Sequence, residues 1–208
     1  MATIAAKGLL ALLLTGAALA RPITHADLYD FHWIGDMQIS PQGDQVAFVR
    51  VQVDEAKTGY NTSIWVTSTN SLQAPRLLCP GPKDRSPRWS PDGKQLAFVS
   101  GQRGQLAVQS LDDTECELLT DLPRPVSSPL WSPNSRSLAF LCDANDKKEI
   151  SDVKVIRRAM YRLNGAGLLD PSRSRQLWKV DRTTKDPRPL TQGPGEVEDP
   201  QFTSDGQR

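Results

Sequence analysis

Pro87-Arg88-Trp89-Ser90-Pro91-Asp92-Gly93-Lys94-Gln95-Leu96-Ala97-Phe98-Val99-Ser100 reads as strand, tight turn, strand. Pro91 presets φ at the second turn position, Asp92 tolerates the bridge region at the third, and Gly93 takes the left-handed conformation that starts the next strand. Leu96, Phe98 and Ser100 alternate with Ala97 and Val99. The second strand is therefore apolar on both faces and expected to be buried on both.

The chain repeats this phrase. Ile39-Ser40-Pro41-Gln42-Gly43 precedes Gln45-Val46-Ala47-Phe48-Val49, and Trp131-Ser132-Pro133-Asn134-Ser135 leads into Ser137-Leu138-Ala139-Phe140-Leu141. Phe202-Thr203-Ser204-Asp205-Gly206 is a fourth copy, with Thr203 in the place of the leading serine. The leading positions 40, 90, 132 and 203 are 50, 42 and 71 residues apart. The first two spacings suit a four-stranded propeller blade.

Each copy continues as a blade requires. A third strand follows at Ser63-Ile64-Trp65-Val66, at Gln105-Leu106-Ala107-Val108 and at Gln176-Leu177-Trp178-Lys179-Val180. A fourth closes at Pro75-Arg76-Leu77-Leu78, at Glu117-Leu118-Leu119-Thr120 and at Pro189-Leu190-Thr191. Such four-stranded meanders stack radially in a propeller. The expected fold is all-β: an incomplete β-propeller of four-stranded antiparallel blades over 37–208, three blades plus the start of a fourth. The blades fall near 37–80, 86–121, 128–192 and 199–208, behind a lead-in at 21–36 in which Thr24 caps one helical turn.

The third repeat is longer than its neighbours by about 25–30 residues. The surplus, an insertion over 143–175, opens with a charged run from Asp143 to Glu149 and carries Arg157, Arg158 and Arg162. Loops held by a rigid scaffold concentrate binding residues, and guanidinium groups suit a carboxylate. The same arginines have acidic partners close by in Asp143, Asp146 and Glu149.

The first twenty residues carry Lys7, an apolar run from Gly8 to Leu14, and Ala18-Leu19-Ala20, a cleavage site of the A-x-A kind after Ala20. Removal of 1–20 as a signal peptide leaves 188 of 208 residues in an exported compartment, periplasmic or secreted. No stretch reaches the length of a membrane span. A formal charge of +1 argues against a nucleic-acid partner. Cys79, Cys116 and Cys142 match no metal motif. Export permits one disulfide among them, and the spacing does not choose the pair.

Chemistry is sparse. There is no G-x-S-x-G elbow, and the two histidines, His25 and His32, lie outside every repeat. No phosphate loop, metal cluster or cofactor site is readable; Gly101-Gln102-Arg103-Gly104 sits where a blade turn belongs. No catalytic residue is expected in the chain. Propellers close with about four to eight blades, so the expectation is an N-terminal piece of a longer protein, inactive alone.

With Asp27-Leu28, the repeated turns, and Val155-Ile156-Arg157…Tyr161-Arg162-Leu163-Asn164-Gly165-Ala166-Gly167 followed by Gln176-Leu177-Trp178-Lys179-Val180-Asp181, the sequence resembles the prolyl oligopeptidase family of serine peptidases. The acylaminoacyl-peptidase and dipeptidyl-peptidase-like branch is the nearest in pattern. The resemblance implies a propeller packed against a C-terminal α/β-hydrolase domain that holds the Ser-His-Asp triad, the propeller restricting access to short peptides. It also implies substrate contact by Arg157, Tyr161 and Arg162. The alternative is a non-enzymatic periplasmic propeller resembling the Tol-system binding protein. That family places an α/β domain ahead of its propeller, for which residues 21–40 leave no room.

Overall fold

The computed structural model describes residues 21–70, 74–101, 103–143, 162–163, 167–168, 174–193 and 195–206. A 3₁₀ turn over His25–Asp30 comes first. The Thr24 backbone N–H and hydroxyl both donate to the Asp27 carboxylate, at 2.6 and 2.9 Å.

Three four-stranded antiparallel sheets follow. The first holds β1 (His32–Ile39), β2 (Gln45–Val53), β3 (Tyr60–Ser68) and β4 (Arg76–Leu77) in that order. The second repeats the order with β5 (Arg85–Trp89), β6 (Gln95–Ser100), β7 (Gln105–Ser110) and β8 (Glu117–Leu118). The third starts with β9 (Val126–Trp131) and β10 (Ser137–Asp143). After them β11 (Arg162–Leu163) and β12 (Gly167–Leu168) pair with each other, and β13 (Arg175–Asp181) and β14 (Arg188–Pro189) complete the third sheet. The innermost strands pack in succession, β1 beside β5 and β5 beside β9. These are radially arranged propeller blades.

The turn between the first two strands is built around its leading serine. In the second blade, Gly93 (φ +71°) donates its N–H to the Ser90 carbonyl at 2.8 Å. The Ser90 hydroxyl donates to Asp92 Oδ1 at 2.6 Å and accepts from the Gln95 N–H at 3.0 Å. The third blade repeats this with Ser132, Asn134 and Ser137, and Ser135 (φ +58°) stands where the glycine was. In the first blade, Ser40 uses Asp44 instead, at 2.7 Å. In the fourth copy Gly206 bonds the Thr203 carbonyl at 2.8 Å and the Thr203 hydroxyl donates to Asp205 Oδ1 at 2.6 Å.

Strand β6 is buried on both faces because a blade packs on each. Leu96 and Phe98 join Ala47, Val49, Ile64 and Val66 of the first blade in one cluster. Ala97 and Val99 join Leu138, Phe140, Cys142 and Val180 of the third blade in another. The outer face of the first blade has no such cover among the described residues, and Ile34 and Ile39 are 61% and 68% exposed.

Two boundaries differ from the sequence reading. The first blade begins at His32, not near 37, because β2 runs on to Val53 and its Val51 and Gln52 pair with Trp33 and His32. The lead-in is correspondingly shorter than 21–36. In the fourth copy the turn forms, while residues 199–203 join no ladder among the described residues. A strand needs a partner to satisfy its backbone groups.

Candidate functional site

Antiparallel blades put the starts of β1, β5 and β9 at one end, together with the connections between the second and third strands. The long insertion leaves and returns at this end, since Asp143 pairs directly with Arg175. Of the sequence-nominated residues, Arg162 opens β11, and its backbone pairs with Leu168. Its side chain, together with Arg157, Tyr161 and the cleavage residue Ala20, lies outside the described residues.

The described part of this end holds an aromatic group and a buried acid. Trp33 meets Phe31 and Tyr60 edge-on, with ring centroids 6.4 and 5.7 Å apart. Neither histidine takes part in a serine–histidine pair among the described contacts; His32 Nε2 lies 2.7 Å from Arg50 Nη2. Asp84, fully buried, precedes β5. Its backbone N–H donates to the Thr62 carbonyl at 3.1 Å, and its Oδ1 accepts from the Gly101 N–H at 2.9 Å and the Ser100 hydroxyl at 3.1 Å. The carboxyl sits over Gly81, where a Cβ would come within 2.8 Å of it. Burial raises its pKa above the usual carboxylate value, against the pull of the Gly101 and Ser100 hydrogen bonds.

The joints between blades are polar at both ends. Trp89 donates its indole N–H to the Gln38 carbonyl at 2.9 Å, and Trp131 donates to the Arg88 carbonyl at 3.0 Å. Each tryptophan precedes its turn serine, and each acceptor stands two before the serine of the previous blade. Glu117 joins the second blade to the third through Lys185 at 2.7 Å and Arg182 at 2.9 Å. The Lys185 ammonium, then Arg182, hold the Glu117 carboxyl below its usual range despite some burial. A Cys79–Cys116 disulfide ties the first blade to the second, while the free Cys142 is buried, its thiol pushed up to about 11 chiefly by that burial. Among the described residues no group of three or more His, Cys, Asp and Glu side chains is placed to hold a metal ion.

No family model matches the chain. It is 30% identical over 197 residues to the uncharacterized peptidase YuxL of Bacillus subtilis, which covers 88% of this chain and 30% of that protein. The Pyrococcus horikoshii acylaminoacyl peptidase superposes with a TM-score of 0.63 at 18% identity, over 78% of this chain and 26% of that one. The AtxE2 isopeptidase superposes with a TM-score of 0.63 at 20% identity, over 83% of this chain and 32% of that one. These similarities are consistent with the propeller portion of a prolyl oligopeptidase-family peptidase. The chain spans about a third of the length of these relatives, and what it shares with the two solved structures is the propeller fold.

Two features of this propeller escaped the sequence reading. The hydroxyl of the leading serine holds the turn, although its recurrence at 40, 90 and 132 with Thr203 was visible. The second is the left-handed residue four places ahead of it, Asp36, Ser86, Ser128 or Asp199, which proline follows in three of the four copies. A Ser-Pro or Asp-Pro pair reads as ordinary turn chemistry until the strands around it are placed.

Proposed function

We propose that the chain is the propeller portion of an exported serine peptidase that hydrolyses short peptides, the propeller restricting which substrates reach the active site. The observation that carries this reading is the match over 88% of the chain to a protein named as a peptidase. The ordered, radially packed blades supply a rigid rim suited to restricting access. The Cys79–Cys116 disulfide favours an oxidising compartment and so supports export. Catalysis is assigned to an α/β-hydrolase domain that residues 21–208 do not supply, with the propeller as its partner and a peptide as its ligand. The insertion, with Arg157, Tyr161 and Arg162, is the assigned point of substrate contact.

The test is hydrolysis of peptide anilides of increasing length by the full-length protein, with and without a serine-directed organophosphate. Cleavage that falls off with length and is blocked by the inhibitor is expected, and residues 21–208 alone should cleave nothing. Cleavage that persists at full rate under the inhibitor, or no cleavage of any peptide, overturns the reading.

A further inference from the structure

Successive repeats meet through one recurring contact. Six residues before the leading Ser or Thr, a backbone N–H donates to a carbonyl near the start of the preceding blade's third strand. The pairs are Asp84 to Thr62 at 3.1 Å, Val126 to Gly104 at 2.7 Å and Val197 to Arg175 at 2.9 Å. Beside these bonds, Leu96 and Phe98 of β6 pack with Ala47, Val49, Ile64 and Val66 of the first blade. Leu138, Phe140 and Cys142 of β10 pack with Ala97, Val99, Leu106 and Val108 of the second. In the first blade the same places are held by Ile34, the counterpart of the donor, and by Val46, Phe48 and Arg50 on β2. Its outer face is therefore built to receive another blade.

Arg50 is the anomaly on that face. Its counterparts are Ser100, which donates to Asp84 Oδ1 at 3.1 Å, and the buried Cys142. The acid that serves Ser100 stands six residues before Ser90. In the first blade that place is Ile34, which pairs with Arg50 in the ladder and brings no charge. The guanidinium lies over the Trp65 ring, 5.0 Å from its centroid, and its Nη2 is 2.7 Å from His32 Nε2. Its Nε is buried with no hydrogen-bond partner. Among the described residues no carboxylate forms an ion pair with it. A guanidinium covered by a blade needs a counter-charge, because burying an unpaired ion is strongly unfavourable.

We propose that Arg50 is the cationic half of an ion pair whose acid lies on a further blade of the same full-length chain, packed on the outer face of the first. That blade sets small or β-branched side chains against Val46 and Phe48. It carries an aspartate or glutamate opposite Arg50, near the connection of its second and third strands, where Thr62 and Gly104 stand in the two joints between complete blades. This chain spans 30% of YuxL and 26% of the acylaminoacyl peptidase, so the relatives have ample length for further blades. A second copy of residues 21–208 is a poor occupant. Its third blade offers Arg175 and Lys179 on β13, which repel Arg50, and Ala139 and Leu141 on the same face are already buried. None of this depends on the peptidase reading.

The experiment treats the full-length protein carrying Arg50→Lys with a carbodiimide, which condenses an amine with a carboxylate in direct contact and releases water. Mass spectrometry then maps the links. The expected product joins position 50 to an aspartate or glutamate beyond residue 208 of the same chain, and is absent from Arg50→Met. A link to an acid within residues 21–208, a link between two chains, or no link from position 50 in the folded variant overturns the pair. Thermal melts give a second reading. Arg50→Glu should melt below Arg50→Met, because it sets two carboxylates face to face, and equal melts likewise overturn the pair. Peptide hydrolysis by the same samples reports separately on the peptidase reading.

Discussion

Asp84 shows what one residue does where two blades meet. Its N–H reaches back to Thr62 of the first blade while its carboxylate caps Gly101 and Ser100 of the second. Truncation by Asp84→Ala leaves the half-buried Gly101 N–H unpaired, a loss of about 1–3 kcal/mol. The pH dependence has a definite sign. Folding raises the pKa of this carboxyl, chiefly by burying it. The fold thus favours the protonated form, and its stabilising share is full below the unfolded value of about 3.9. That share declines as pH rises through the folded value. Denaturant midpoints of the Asp84→Ala variant against the unaltered protein should show a larger deficit at low pH than at neutral pH. A deficit that grows with pH would contradict the assignment.

At the scale of the element, each innermost strand is pinned to the one before it by a tryptophan N–H. Trp89 and Trp131 each donate to a carbonyl two residues ahead of the preceding turn serine. Ile39 and Phe202 occupy the same place in the first and fourth copies and carry no such donor. Trp131→Phe keeps much of the ring and deletes the bond to the Arg88 carbonyl. An expected cost of about 1–2 kcal/mol is to be read from urea midpoints. A further Phe140→Ala change, within the cluster of the second and third blades, should add about 3–5 kcal/mol. The turn serines were legible as a motif because their spacing repeats. Their hydroxyl bonds were not, since a serine before proline reads the same whether its side chain is buried or free.

At the scale of the molecule, two joints are secured differently: a disulfide and the Asp36–Arg88 pair between the first and second blades, an ion-pair cluster at Glu117 between the second and third. Peptide mapping without reductant should recover Cys79 linked to Cys116 and Cys142 alkylated only after unfolding. A Cys79→Ser/Cys116→Ser variant should lose about 2–4 kcal/mol. Recovery of Cys142 in a disulfide would contradict this arrangement. The outer face of the first blade, with Ile34 and Ile39 exposed, predicts that residues 21–208 expressed alone self-associate. A monodisperse monomer with a cooperative melt would count against that.

The recurrence of one turn phrase at 40, 90, 132 and 203 was enough to establish the strand order, the four-stranded meander and the propeller, because blade geometry is local and repeats along the chain. The same reading placed Leu96 and Phe98 against Ala97 and Val99 on opposite buried faces, since alternation is a property of the strand itself. Which cysteines pair, which carbonyl each tryptophan meets, and that Asp36 reaches Arg88 depend on distances between separate blades. No spacing along the chain encodes those distances, and only the packing of one sheet on the next sets them.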